Sequence, residues 1–318
     1  MFTAILCPVD FSAAARHALR HAVAISRLSG GRVTALYVND PILTAAATRA
    51  FDGQAFTQTS AEELKSFIKQ AVGSSNAARV TAHALVGEPA RVIGRAARRF
   101  RADLIVVGTR GLSGVGKAFF GSTTERVLRQ TTVPVLAIPP AARNQIGQGW
   151  PGRRVLAGID LDANSSSDAR AFAMVARAFG RPLTLVHVVE PSQLPPWLAG
   201  FANRDSQSRA GAARTALDRL AAALEDVEVD ARILVGDPSR QIPRLAKQAG
   251  AKLIVLALRR GDGLLGVPQG TITYRVLSSG STIPVLAIPR RGRAARARRA
   301  AAAGSRSGSI SLDPSAFT

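Results

Sequence analysis

The chain repeats itself. At an offset of 149–151 residues, ILCPVDFS (5–12) returns as LAGIDLDA (156–163), VTALYV (33–38) as LTLVHV (183–188), and ALVGEPA (84–90) as ILVGDPS (233–239). DLIVVG (103–108) returns as KLIVLA (252–257), and VPVLAIP (133–139) as IPVLAIP (283–289). A period this long is several times a solenoid unit, so each copy is a whole domain. A chain of 318 residues has room for two such cores. The domains are 1–140 and 153–289, with AARNQIGQGWPG (141–152) as a Gly-, Asn- and Pro-marked linker and 290–318 left over.

Within each copy, short β-branched runs alternate with longer segments of helical period. Thr3–Val9, Arg32–Val38, Arg79–Val86, Asp103–Val107 and Pro134–Ile138 read as strands, several of them almost wholly apolar, as in a parallel sheet covered on both faces. Ser12–Leu28, Ser60–Val72 and Glu88–Phe100 read as helices. The order predicts an α/β fold of two tandem, doubly wound, five-stranded parallel sheets of the Rossmann-like kind. Ligands of such sheets sit beyond the carboxyl ends of the strands, where strand order reverses. That directs attention to Pro8–Ser12, Val38–Asp40 and the residues after Val107.

Charge and cysteine content narrow the function classes. Forty-two Lys and Arg against 21 Asp and Glu give +21, which raises nucleic acid or an anionic surface as a partner. The first repeat carries +9, the second +5, and residues 290–318 carry +6. That last segment is an Arg/Ala block followed by Ser, Gly and Pro with no apolar period, so it reads as a disordered tail able at most to bind nucleic acid or acidic partners weakly. No aromatic residue interleaves with its arginines, so base stacking is poorly supported. The single Cys7 excludes an intrachain disulfide and a multi-cysteine zinc site, and the N-terminus lacks a signal-peptide pattern and a membrane span. A cytoplasmic location is the default expectation.

After Val107 the chain reads GTRGLSGVGKAFFGSTTERVL, with five glycines from Gly108 to Gly121 leading into a helix. Helix N-termini offer unpaired N–H groups and a positive dipole end to anions, and Ser122 and Thr123 add hydroxyls. Ser122 with Glu125 also fits a capping box, and Asp10 with Ser12 fits a helix start, so both have plain structural readings. Within the loop, Gly111–Lys117 followed by Ala118 imitates a P-loop but lacks the hydroxyl that would bind magnesium.

The spacing Gly108-x2-Gly111-x9-Gly121-Ser122, together with CPVDFS, VGEPA and VPVLAIP, resembles the universal stress protein family over both repeats. The resemblance implies an adenine nucleotide alpha hydrolase-like fold and ATP as ligand, with Mg or Mn. It assigns Pro8, Val9, Asp10 and Val38 to the adenine and ribose end, and Gly108, Arg110, Gly111, Gly121, Ser122 and Thr123 to the phosphates. It also implies pairing of the last strands of the two repeats, 133–138 with 283–288, as an intrachain pseudo-dimer, with a further homodimer open.

The second repeat departs from this pattern. Ala257 and Arg260 stand at the positions of Gly108 and Gly111, while Asp160, Val188, Gly270 and Thr271 keep partial counterparts of Asp10, Val38, Gly121 and Ser122. Nucleotide binding is therefore expected in the first repeat, with the second binding weakly, differently or not at all. His17 and His21 at i, i+4 share a face with Arg16 and Arg20 and read as a solvated pair, not a metal site. His187 reads as a pocket-wall residue and Cys7 as core. No catalytic Ser-His-Asp order or carboxylate pair stands out. The leading expectation is a nucleotide-dependent, stress-response binding module of bacterial type. A slow ATPase or phosphoryl-transfer enzyme and a binder acting through the basic tail are the alternatives.

Overall fold

In the computed structural model, the described residues are 2–42, 44–45, 53–109, 121–144, 146, 149–192, 199–259 and 272–290. The first repeat runs β1 (Ala4–Val9), α1 (Ala13–Ser29), β2 (Arg32–Asn39), α2 (Gly53–Val72), β3 (Val80–Val86), α3 (Pro89–Arg99), β4 (Leu104–Gly108), α4 (Ser122–Gln130) and β5 (Val135–Ile138). The second runs β6 (Val155–Gly158), α5 (Ser165–Ala178), β7 (Leu183–Val189), α6 (Ala199–Ala222), β8 (Val229–Val235), α7 (Pro238–Gln248), β9 (Ile254–Leu258), α8 (Ile272–Ser278) and β10 (Val285–Pro289).

All ten strands form one sheet in the order β3-β2-β1-β4-β5-β10-β9-β6-β7-β8. Each repeat is parallel within itself, and they meet where β5 and β10 run antiparallel, with Leu136 opposite Leu286. The apolar edge each repeat would otherwise expose is thereby covered by the other. Alternation along the strands sends residues to two continuous cores. Ile5, Cys7, Val155 and Ala157 pack under α1, α2, α5 and α6, whereas Leu6, Ile105, Leu156 and Ile254 pack under α3, α4, α7 and α8.

Local chemistry explains the helix limits. Ser12 caps α1 by accepting from the Ala15 N–H, and Gly30 ends it in the left-handed conformation at φ 68°. Pro89 and Pro238 occupy the first turns of α3 and α7, behind the capping carboxylates Glu88 and Asp237. Helix α2 begins at Gly53, earlier than the Ser60 expected from its apolar period, because that stretch is polar and its period weak.

At the seam the linker packs into the fold: Ala142 and Trp150 are buried, and the Trp150 ring packs edge-on against both His21 of the first repeat and Phe179 of the second. Arg290, assigned to the tail by composition, belongs to the fold, with its side chain 11% exposed among three aspartates. The rest of the tail, 291–318, lies outside the described residues.

The histidine pair is likewise not solvated. His21 is 1% exposed, its Nδ1 lies 2.8 Å from the His17 carbonyl, and Trp150 closes over it. Arg16 stands 5.2 Å from the Phe67 ring, so the cations that suggest an outer face in the sequence edge a packed one. Cys7 is buried as expected, and burial pushes its thiol well above the usual range.

Candidate functional site

In the first repeat strand order reverses between β1 and β4, and a cavity of about 280 Å³ opens at their carboxyl ends. Pro8, Val9 and Asp10 line it from β1 and the turn after it, Val38 from β2, Gly108 from β4, and Gly121, Ser122 and Thr123 from the start of α4. Arg110 and Gly111 lie outside the described residues.

The turn after β1 is held in a strained form. Phe11 sits at φ 60°, a left-handed conformation that costs a non-glycine residue about 1–2 kcal/mol. Its ring packs 4.6 Å from Tyr37 and 5.5 Å from Phe67, contacts large enough to offset that cost. Asp10 lines the cavity, where Oδ1 accepts the Ser12 N–H at 3.1 Å and Oδ2 has no hydrogen-bond partner among the described residues.

At the opposite wall, α4 starts at Gly121 with no side-chain cap. The expected Ser122–Glu125 capping box does not form, because Glu125 turns away to Arg129 at 2.7 Å. Ser122 and Thr123 are exposed at the cavity, and the first-turn N–H groups of α4 have no intrahelical acceptor. The next residue is committed: Thr124 donates to the Gly108 carbonyl at 2.9 Å, tying α4 to the end of β4.

Gly108 lines the cavity and also has a packing role. A Cβ there would lie 2.7 Å from the Ala14 Cβ and 2.8 Å from its carbonyl carbon. Its bareness admits the first turn of α1 over β4, and the cavity gains from this indirectly, because α1 brings Ser12 and Ala15 to its wall. Leu36, Tyr37, Pro89, Ile93 and Val107 complete the lining. Pro89 belongs to the VGEPA motif, but the others look like ordinary core in the sequence. Glu88 fixes α3 to α4 through Arg126 at 3.2 Å. Burial slightly opposes its charge, and the N–H groups of Arg91 and Ala90 outweigh this and hold its carboxyl below the usual range.

The second repeat fills the same crevice with its own side chains. Thr273 donates to the Ala257 carbonyl at 2.8 Å, so the start of α8 is tied to the end of β9 as α4 is to β4. Ala257, however, carries the Cβ that Gly108 lacks, and α5 starts later, at Ser165, behind a short turn. Asp160 is not left facing a pocket. Arg259 Nη2 lies 3.1 Å from Asp160 Oδ2 and 2.7 Å from Asp162 Oδ2, bridging β9 to β6. Arg290 reaches over from β10, with Nη1 at 2.8 Å from Asp162 and Nε at 2.9 Å from Asp168.

Burial raises the pKa of Asp168, while for Asp162 the Asn164 N–H and the arginines overcome burial and lower it. Val188 is buried, and His187 Nδ1 bonds the Ile159 carbonyl at 2.9 Å, fixing that wall. Gly270 and Thr271 lie outside the described residues. Among the described residues no cluster of three or more His, Cys, Asp or Glu forms a metal site, and no helix is long and apolar enough to cross a membrane.

This doubled architecture has known counterparts. A sequence model of the universal stress protein family matches residues 1–139 and again 152–289. The chain belongs to the universal stress protein family. A universal stress protein of Mycolicibacterium smegmatis is 26% identical over 297 residues, covering 90% of this chain and 97% of its own. One from Thermus aquaticus is 32% identical over 138 residues, 43% of this chain but 99% of its own, the length of a single universal stress domain. The crystal structure of a universal stress protein from Archaeoglobus fulgidus superposes with a TM-score of 0.65 at 20% identity, over 90% of this chain and 98% of that one, so the tandem fold is shared.

Proposed function

We propose that the first universal stress domain binds ATP and that the second is its folded partner, not a second nucleotide site. The observation that carries this is the convergence on one cavity of Asp10 and Val38 with Gly121, Ser122, Thr123 and the uncapped start of α4. Apolar walls suit a base, the free Asp10 oxygen a ribose hydroxyl or base amine, and the helix start a phosphate chain. The donor set fits an anionic nucleotide, and Arg110 and Gly111 would add to it as the resemblance implies. Lacking a carboxylate cluster, the domain would hold Mg or Mn through the phosphates and water. In the second domain Arg259 and Arg290 already neutralise the carboxylates at the crevice. The two domains then act as an internal pseudo-dimer through β5 and β10, and occupancy of the first is the regulatory variable of a stress-response module.

Calorimetric titration of ATP, ADP and AMP into the full chain and into Ser122→Ala/Thr123→Ala tests this reading. ATP binding should weaken about tenfold in the variant, the worth of about 1.4 kcal/mol of phosphate contact, with AMP changed much less. Absence of ATP binding, or equal loss for ATP and AMP, would overturn the site.

A further inference from the structure

The two faces of the sheet carry different patterns of charge. On the α1, α2, α5 and α6 side, α6 pairs Arg209 with Asp205 and Arg214 with Asp218, each at 2.9 Å, α2 sets Glu62 and Glu63 beside Lys65 and Lys69, and α1 carries Arg16, Arg20 and Arg27 with no carboxylate. On the other side, α3 (PARVIGRAARR) and α7 (PSRQIPRLAKQ) contain no carboxylate at all. Their buried residues Ile93, Ala97, Ile242 and Ala246 lie in a single core, so both helices cover the same face.

Each presents an exposed stripe at i, i+4, i+7: Arg91, Arg95 and Arg98 on α3, and Arg240, Arg244 and Lys247 on α7. Among the described residues, the only carboxylate near either stripe within ion-pair range is Asp237, 4.0 Å from Arg240 and already held by Arg275 at 2.7 Å. Beside the second stripe runs an open groove of about 680 Å³, whose far wall is the turn Ser279–Thr282 and whose floor includes Pro243 and Gln248.

We propose that this face docks duplex nucleic acid through its phosphate backbone, without reading sequence. Three observations select that occupant. Among the described residues, the large exposed apolar side chains are Leu28, Ile42, Val86, Met174 and Val235, none on α3, α4, α7 or α8, so nothing there anchors in a bilayer or fills a partner protein's apolar pocket. Among the described residues the face also offers no exposed aromatic ring for unstacked bases; Tyr274 of α8 is buried.

The spacing fits as well. Residues i to i+7 rise about 10 Å along a helix, and one strand of a duplex carries one phosphate per about 3.4 Å of its axis, so each stripe spans the axial length of about three phosphates. The Ser281 hydroxyl already bonds Ile283, which stiffens the far wall of the groove. This site is separate from the nucleotide cavity, which opens at the strand ends, and it involves none of the cavity's residues.

The test is fluorescence anisotropy of a labelled mixed-sequence DNA duplex titrated with the full chain across a range of salt. Wild type should bind at low salt with a steep log K against log salt slope. Arg240→Ala/Arg244→Ala/Lys247→Ala should make that slope shallower by about 3, at about 0.9 for each phosphate that is no longer neutralised. Arg170→Ala/Arg214→Ala/Arg219→Ala removes the same charge from the opposite face and should leave the slope unchanged, which separates the surface from net charge and from the Arg-rich segment 291–318. Arg240→Lys/Arg244→Lys should retain binding, which separates the effect of charge from that of misfolding. Equal effects of the two alanine triples, no duplex binding by wild type, or tighter capture of polyglutamate or anionic vesicles than of the duplex would each overturn the proposal.

Discussion

Acid should open the seam between the two domains, and His21 sets the pH at which it does so. Its Nδ1 faces the His17 carbonyl at 2.8 Å, so that nitrogen carries the proton and donates, leaving Nε2 bare beneath Trp150. A second proton on Nε2 would place a cation in an apolar pocket. Burial, together with the neighbouring His17 charge, outweighs the favourable carbonyl bond and lowers the pKa from 6.5 to about 4. With the folded value below the unfolded one, the unfolded chain binds the additional proton first. Stability is therefore complete above pH 6.5 and is lost as the pH falls towards 4. At 1.36 kcal/mol per pKa unit the full loss is about 3 kcal/mol, of which about 2 kcal/mol is gone by about pH 5.

The assay is urea unfolding at about pH 7.5 and about pH 5, followed by tryptophan fluorescence, with His21→Leu as the comparison. The variant should show an acid loss smaller than wild type by about 2 kcal/mol. Carboxylate titrations elsewhere are common to both proteins and cancel in the difference. Parallel pH dependence in the two would refute the reasoning, because it would mean that His21 is hydrated or already charged in the fold.

Two further outcomes follow from the sites. Arg290→Ala leaves Asp168 buried without its partner and should cost about 3–5 kcal/mol in chemical denaturation, whereas Arg290→Ala/Asp168→Ala, which gives the aspartate position the residue Ala18 of the first repeat, should recover most of it. Gly108→Ala should lower stability by about 1–3 kcal/mol by driving α1 off β4, and Ala257→Gly, at the counterpart position, should cost no more than about 1 kcal/mol; equal costs in differential scanning calorimetry would show that α1 does not press on Gly108.

The residues that mattered to the site were unequally legible. Asp10, Val38, Gly121, Ser122 and Thr123 stand out because strand ends and a helix start at a strand-order switch are predictable from alternation of elements. Leu36, Tyr37 and Ile93 were hidden, since an apolar residue facing a cavity looks like one facing a neighbour. Thr124 could have been found by self-comparison, as Thr273 keeps its place and its bond to the preceding strand. At Gly108 the sequence shows that a Cβ is absent but not which atoms come close, here those of Ala14. His21 and Arg290 misled for a related reason. Their surroundings come from Trp150 and from Asp162 and Asp168, distant in the chain, and neighbouring arginines suggested water instead.

The duplication, the α/β class and the five strands of each repeat were set by local periodicity and internal similarity, which survive without knowledge of contacts. Only the tertiary structure decided that the repeats share one ten-stranded sheet, that the second crevice is spanned by Arg259 and Arg290, and that the cation stripes of α3 and α7 lie on the same face. Each of these depends on which distant side chains meet, because the sign and cost of a charge are fixed by the groups within a few ångströms of it and not by its neighbours along the chain.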